Sequence, residues 1–517
     1  MPLVRSIATI GGLTSVSRVF GFVRDILIAS MLGAGMAADA FFVAFKFPNL
    51  FRRLFAEGAF SAAFVPIFAG ALETEGRERA RAFAEQALGV LVPALLLFVT
   101  AMQIAMPVAM YGMAPGFAAS PEKFDLAVLF SRITFPYLLF ISVVSLMAGV
   151  LNSLGRFAAA AAAPILLNLC LILALVGLSP LTASPGHALA WGVAAAGVIQ
   201  FAWLLVACGR AGVWLRLPRP RLTPRVRQLM RRALPVAIGA GIYQINLLLD
   251  TIIASLLPSG SISFLFYADR VNQLPLGIVG VAVGTALLPV LSRQVRAGHA
   301  DAALHSQNRA LEIAFLFTLP AAAALLVIAG PVISVLFERG EFGPAEARAT
   351  AMALAAYATG LPAYVLAKAL TPGYFAREDT VTPVRIAAVT TVVNLLLNLL
   401  LMGPFLHVGI AVATSVSSWL NAGLLALILY RRGFLRIDAR LAGRLPRMLL
   451  ASAVMAAVLV LLQVGLADWL AAGLARRAAA LAVLVGIGAA TFAAAAQLTG
   501  AAGLSDLRRL MRGRDIA

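Results

Sequence analysis

Apolar runs of about 20 residues, the length of helix that crosses a hydrocarbon core about 30 Å thick, recur along the whole chain. Short polar or Pro/Gly-rich breaks separate them. The runs are built mainly of Ala, Leu, Val and Gly, and lack the dyad alternation that a membrane β-barrel strand requires. The pattern predicts an all-α polytopic membrane protein with about 14 transmembrane helices.

The runs also repeat. Asp25-Ile-Leu-Ile-Ala-Ser-Met-Leu32 recurs as Asp250-Thr-Ile-Ile-Ala-Ser-Leu-Leu257, and the landmarks that follow keep a similar offset. Pro48 answers Pro275, Pro93 answers Pro320, Pro136 answers Pro362 and Asn168 answers Asn394. An ordered series at nearly constant spacing is hard to obtain by chance, although single Pro or Gly matches are common in membrane helices. The expected organisation is therefore an N-terminal lobe at 1–209 (helices 1–6), a basic inter-lobe segment at 210–232 and a C-terminal lobe at 233–430 (helices 7–12). Two extra helices with a basic tail fill 431–517. An even number of spans per repeat leaves both copies facing the same way, as in transporters that bind substrate between two lobes.

Composition agrees with lipid as the solvent: 62% of the 517 residues are hydrophobic and only 12% charged. The formal charge of +19 would suit a nucleic-acid partner, but the arginines lie on alternate loops. Arg77, Arg79 and Arg81, the stretch from Arg210 to Arg232, Arg293 and Arg296, and Arg431 to Arg447 fall on one set of connections. The intervening loops carry almost none. This is the positive-inside rule, so the basicity reports topology, with both termini cytoplasmic, and no nucleic acid is expected. Anionic membrane lipids are expected against the basic loops. Cys170 and Cys208 sit inside apolar runs and suggest packing, and the four histidines have no ligand spacing. No catalytic constellation stands out, so the expected protein is not an enzyme; a membrane enzyme acting on a polyprenyl-linked substrate is the remote alternative.

Some charges sit where a bilayer penalises them by about 2.5–3.5 kcal/mol each, and such residues normally face a bundle interior or a wet cavity. The first span holds Arg18, Arg24 and Asp25, and the second Asp39, Lys46, Arg52, Arg53 and Glu57. In the second repeat come Asp250, Asp269 and Arg270. Residues seven apart share a helix face, which pairs Arg18 with Asp25 and Ser17 with Arg24, and draws a stripe through Asp39, Lys46 and Arg53 toward Glu57. Asp39, Arg53 and Glu57 read equally well as cavity residues or as charges that pair internally or snorkel from helix ends. Cations exceed anions in the first two spans, so the cavity they line suits an anion. The planar fork of Arg is made for phosphate or pyrophosphate, with Arg18, Arg24, Arg52 and Arg270 as the candidate ligands. Outward movement of an anion gains about 2.3 kcal/mol per charge per 100 mV of inside-negative potential. No Gly-x-x-x-x-Gly-Lys-Ser/Thr loop is present for ATP. Phe41, Phe42, Phe45 and Phe47 read as lipid or helix packing, and Trp214 and Trp469 as interfacial anchors.

Three segments carry a specific resemblance: Ser17-Arg-Val-Phe-Gly-Phe-Val-Arg-Asp25, Gly33-Ala-Gly-Met-Ala-Ala-Asp-Ala-Phe-Phe-Val-Ala-Phe-Lys-Phe-Pro-Asn49 and Arg52-Arg-Leu-Phe-Ala-Glu-Gly-Ala-Phe-Ser61. With them the chain closely resembles the MurJ/MviN family of bacterial lipid II flippases, within the multidrug/oligosaccharidyl-lipid/polysaccharide exporter superfamily. The resemblance covers essentially the full length. It implies export of the undecaprenyl-pyrophosphate-linked disaccharide pentapeptide from the cytoplasmic to the periplasmic leaflet of the inner membrane, for peptidoglycan biosynthesis, by alternating access of two lobes in a monomer. The drive would be membrane potential, an ion gradient or both. By the same resemblance Arg18, Arg24, Arg52 and Arg270 match cavity arginines, Asp25 their acidic partner, and Asp39 a carboxylate nearer the outer face. Ser17, Lys46, Arg53, Glu57 and Asp269 are expected to support the cavity or its gate. The two extra helices would form a groove for an isoprenoid tail. No cofactor is implied beyond a coupling sodium ion, for which Asp250, Asn394, Asn398 and Thr414 resemble the oxygen ligands of some members. Asn398 stands where a second Asp can occur, and Asn394 with Asn398 reads equally well as an interhelical hydrogen-bond pair. A flippase for another polyprenyl-linked glycan is the nearest alternative; a cation-drug exporter should favour acidic cavity residues instead.

Overall fold

The computed structural model describes residues 2–53 and 60–503. Glu57 and the basic tail from Arg508 to Arg514 lie outside them. Among the described residues the chain is helical, with one isolated bridge between Arg339 and Phe342. The helices are α1 Pro2–Leu32, α2 Met36–Phe51, α3 Ser61–Met113, α4 Pro121–Thr134, α5 Tyr137–Ser153, α6 Ala158–Leu173, α7 Pro185–Arg210 and α8 Pro224–Ser255. There follow α9 Ser261–Pro275, α10 Val281–Arg296, α11 Ala300–Phe337, α12 Pro344–Phe375, α13 Val381–Arg431, α14 Ala439–Gly465, the short α15 Ala467–Leu470 and α16 Leu474–Leu498.

Among the described residues nine helical segments are long and apolar enough to cross a membrane. That count differs from 14 for physical reasons. Two helices are far longer than one crossing needs: α3 has 53 residues and α13 has 51, against about 20 for one span. Each breaks internally, α3 at Gly76 with φ 82° and α13 at Leu406 with φ 50°. Conversely, α1, α2, α8 and α9 are absent from the nine, and these are the helices that carry Arg18, Arg24, Asp25, Asp39, Lys46, Asp250, Asp269 and Arg270. Of these, α2 and α9 have only 16 and 15 residues, less than one crossing needs, while α1 and α8 interrupt their apolar runs with charge.

The chain divides into two compact units, Met1–Ser263 with Arg339–Phe342, and Phe264–Glu338 with Gly343–Ala517. The first unit therefore includes α8, which packs on α3. Its core is aromatic: Phe64, Phe68, Phe83, Phe130 and Tyr137 are fully buried, and the Phe47, Phe51 and Phe98 rings gather around Phe135. Phe41, Phe42 and Phe47 are buried against neighbouring helices rather than turned to lipid. Glycine admits one close approach here. Gly340, at φ 59°, would place a Cβ 2.1 Å from the Ser30 carbonyl oxygen, and the next residue, Glu341, donates its N–H to that same oxygen at 2.9 Å.

In the second unit α10, α11, α12 and α13 share an aliphatic core that includes Leu287, Leu311, Leu370, Leu425 and Leu429. The C-terminal pair α14 and α16 packs on α11 through Leu316, Met448, Ala451 and Ala496. Outward it presents apolar residues such as Leu461, Val464 and Val485. An ion-pair knot fixes the start of α14: Glu312 on α11 accepts from Arg309, Arg440 and Arg444, while Arg309 also pairs with Asp438. Such a knot sets register more than it adds stability, because desolvation offsets most of its Coulomb energy.

Candidate functional site

In the first unit the site is built on α1. Arg24 and Asp25 are buried, at 7% and 2% exposure, which a charged pair tolerates only when its hydrogen bonds are made. They are made. Arg24 Nε and Nη2 donate to Asp25 Oδ1 at 3.0 and 2.6 Å, and Nη1 donates to Asn168 Oδ1 on α6 at 2.7 Å. Asn168 Nδ2 in turn donates to the Ser17 carbonyl oxygen at 2.9 Å. Ser17 and Arg24, paired by spacing, thus meet the same side chain. A guanidinium has five N–H donors, so Arg24 is held in one orientation with two left over. Gly21, one turn from both, would bring a Cβ within 3.4 Å of the Asn168 amide, so a small residue keeps α1 close to α6. Arg18 is exposed and forms no ion pair among the described residues.

Along α2 the expected stripe separates into three environments. Asp39, in the first turn, is 1% exposed and accepts four hydrogen bonds: from Lys123 Nζ at 2.8 Å, Gly260 N at 2.8 Å, Ser263 N at 3.0 Å and Ser263 Oγ at 2.7 Å. It therefore caps the N-terminus of α9, where unsatisfied N–H groups and the helix dipole favour a carboxylate. Lys123 is itself buried, lies over the Phe117 ring at 4.3 Å and donates to Ser259 Oγ at 3.2 Å. Asp39 is thus a clasp, held in a buried ion pair with Lys123. Further along, Lys46 donates to Thr251 Oγ1 on α8. Arg52 Nε donates to Asn49 Oδ1 at 3.2 Å, and Arg53 is exposed.

In the second unit Arg270 lies over the Phe266 ring at 4.7 Å, one helical turn back on α9, and Asp269 accepts from Gln273. After Pro275 the chain opens into a π-turn at Leu276–Gly280, a feature found often at functional sites. Lys368 of α12 runs along this turn: a Cβ at Gly280 would lie 3.0 Å from Lys368 Cδ. Lys368 is exposed and makes no hydrogen bond among the described residues. On α13, Asn398 Nδ2 donates to Asn394 Oδ1 at 3.0 Å and Asn394 Nδ2 to Ser417 Oγ at 3.2 Å. Thr414 Oγ1 donates to the Ile410 carbonyl within its own helix. Asp250, on α8, belongs to the first unit. The oxygens of Asn394, Asn398 and Thr414 would fit a hard cation such as sodium, which takes carbonyl and hydroxyl ligands.

Sequence reasoning passed over Lys123, Asn168 and Lys368. Asn168 had a usable signal, since the repeat sets it opposite Asn394. Lys123 reads as an ordinary charge in the first turn of α4, and its partner is 84 residues away.

The family model described as "Lipid II flippase MurJ" matches residues 28–479. A "Probable lipid II flippase MurJ" of Rhizobium meliloti (strain 1021) is 48% identical over 522 residues, covering 99% of this chain and 97% of that protein. A protein of the same name from Vibrio cholerae is 39% identical, covering 98% of each. The "Lipid II flippase MurJ" of Burkholderia cenocepacia is 38% identical, covering 84% of this chain and 85% of its own. The solved structure of a lipid II flippase MurJ in an inward closed conformation superposes with a TM-score of 0.80 at 23% identity, over 97% of this chain and 99% of that one. An inward-facing multidrug resistance MATE family transporter gives 0.68 at 14% identity, over 80% and 94%, so the fold reaches into the wider superfamily. With the family model spanning most of its length and relatives well above 30% identity over nearly all of it, this multi-span membrane protein belongs to the lipid II flippase MurJ family.

Proposed function

We propose that this chain moves lipid II, the undecaprenyl-pyrophosphate-linked peptidoglycan precursor, from the cytoplasmic to the periplasmic leaflet of a bacterial inner membrane. One observation carries the chemistry: Arg24 is buried and held by Asp25 and Asn168 with two N–H donors unused. A pre-oriented guanidinium with spare donors suits a pyrophosphate, since little rotamer entropy remains to be lost on binding. Arg18 and Arg52 supply further positive charge in the first unit, and Arg270 and Lys368 in the second. The protein acts as a transporter, changing the leaflet of its substrate and not its bonds. It works as a monomer with both termini in the cytoplasm, the 1–209 and 233–430 lobes rocking between access states. The 431–517 pair guides the isoprenoid tail along its apolar outer face. A pyrophosphate dianion leaving a negative cytoplasm gains roughly 4.6 kcal/mol per 100 mV, and a sodium ion at Asp250, Asn394, Asn398 and Thr414 adds its own gradient.

The test is outward movement of lipid II in proteoliposomes under an imposed inside-negative potential. Potential-dependent transfer by the folded protein supports the proposal. No transfer of lipid II, with transfer of another polyprenyl-linked glycan, assigns the chain to that glycan instead.

A further inference from the structure

The first unit encloses a cavity of about 320 Å³ between α3, α5, α6 and α7, with Arg52 on its wall. Ligand pockets span about 300–1,000 Å³, so this one has room for a single ring and not for a whole disaccharide with its peptide. Its polar lining is Arg52, Ser61, Ser145, Asn152, Asn168 and Gln200, on an otherwise aliphatic and aromatic surface. Among the described residues no carboxylate lines it, which argues against a cation as the occupant.

Gln200 on α7 narrows the choice. It is 1% exposed, and its Nε2 donates to the Ala163 carbonyl oxygen at 2.7 Å. A carbonyl only accepts, so the amide orientation is fixed with nitrogen toward Ala163. Its Oε1 is consequently a buried acceptor, and it has no hydrogen-bond partner. A buried unsatisfied acceptor is costly to leave so, and only an O–H or N–H donor can relieve it. A bare anion has none. Nearby, the Asn152 carboxamide is exposed and makes no hydrogen bond among the described residues, and Ser145, whose hydroxyl donates to the Ile141 carbonyl at 2.9 Å, still has lone pairs to accept with. Carboxamides and hydroxyls over an apolar floor are the groups that hold a sugar. Asn168 joins this cavity to the site described above, because it lines the wall and also accepts from Arg24.

We infer that the cavity is a carbohydrate subsite, taking one pyranose ring whose hydroxyl or acetamido N–H donates to Gln200 while its remaining polar groups meet Asn152. The inference rests on the proposed substrate, in which the first sugar is bonded directly to the pyrophosphate assigned to Arg24. Recognition is then split: Arg24 reads the anion and the α5–α7 wall reads the ring beside it.

The experiment compares the affinity of the purified protein for lipid II and for undecaprenyl pyrophosphate, which lacks the sugars. Two hydrogen bonds of about 1 kcal/mol each should favour lipid II by roughly tenfold or more. Asn152→Ala, at an exposed position without internal bonds, and Gln200→Met should each bring that ratio toward one while leaving undecaprenyl pyrophosphate affinity within about twofold. Retained binding of the sugar-free lipid certifies the fold of each variant. A preference for lipid II that both variants keep overturns the subsite, as does a wild type that binds the two lipids equally, which would leave the cavity to water. Binding of neither lipid by the wild type removes the substrate reading itself, and the subsite with it.

Discussion

Asn168 and Asn394 occupy matching places in the two repeats, yet they are wired differently. Asn168 joins a buried arginine, Arg24, to the main chain of Ser17, whereas Asn394 joins the side chains of Asn398 and Ser417. One scaffold position thus meets a buried guanidinium in one copy and an amide and a hydroxyl in the other. The duplication preserved where a polar group can be carried through an apolar helix and left open what it does there.

Replacing the charged partner should break this asymmetry most. Arg24→Ala is expected to cut lipid II transfer by at least about 100-fold, because two charge-assisted bonds to the pyrophosphate are worth about 1.5–3 kcal/mol each. It also leaves Asp25 buried without its guanidinium, at a cost of about 3–5 kcal/mol, so Arg24→Lys is the companion that keeps a charge beside Asp25. Transfer lost in both, with Arg24→Lys still folded by thermal unfolding, isolates the forked geometry as the cause. Asn168→Leu should reduce transfer by roughly tenfold, since Arg24 stays but loses one of its positioning bonds. Equal transfer by wild type and Asn168→Leu would show that Asp25 alone positions the arginine.

On the other side of the comparison, Asn394→Leu should spare most transfer measured at fixed potential and act on sodium instead. Replacing choline chloride with sodium chloride is expected to raise the unfolding temperature of the wild type and not of Asn394→Leu or Asp250→Asn, following mass action on a bound ion. A sodium shift retained by both variants would leave the Asn394 patch as a helix–helix contact. The smallest effect belongs to a bridge remote from both asparagines. Asp379, in the loop between α12 and α13, has its pKa lowered from 3.8 to about 2 by hydrogen bonds from the Thr382 side chain, from the Thr382 N–H at 2.9 Å and from Arg432 at 2.6 Å. A folded-state pKa below the unfolded one stabilises at pH above about 4, and that stability is lost as pH falls toward about 2. Asp379→Asn should therefore cost less than about 1 kcal/mol near neutral pH, because the pair is partly exposed. The difference from wild type should vanish in strong acid.

Much of the site was legible because it violates the rule that lipid imposes. Arg24, Asp25 and Asp39 stand out against runs of Ala and Leu, and the repeat marked Asn168 and Asn394 as equivalent. What stayed hidden was pairing at a distance. Nothing local distinguishes Lys123 from a solvated charge until α4 lies beside α2, and Gln200 looks like an incidental polar residue on α7 until its oxygen is found without a donor. The exposure of Arg18 beside the burial of Asp25 was equally unreadable, since seven-residue spacing gives a shared face and says nothing about what covers each end of it. The helix breaks at Gly76 and Leu406 were hidden for another reason: both fall where the flanking sequence favours helix on either side.

The clasp at Asp39 has an evolutionary corollary. Two of its four donors are main-chain N–H groups, of Gly260 and Ser263, and no substitution except proline can delete a main-chain donor. Recognition there is inscribed in the path of the chain, so the turn between α8 and α9 is free to drift in sequence while keeping its grip. The exception is Gly260, whose φ of 97° excludes most side chains. Inherited variation that loosens this end of the molecule should accordingly concentrate on the carboxylate, its buried partner Lys123, the Ser263 hydroxyl and that single glycine, with the rest of the turn passing changes more freely.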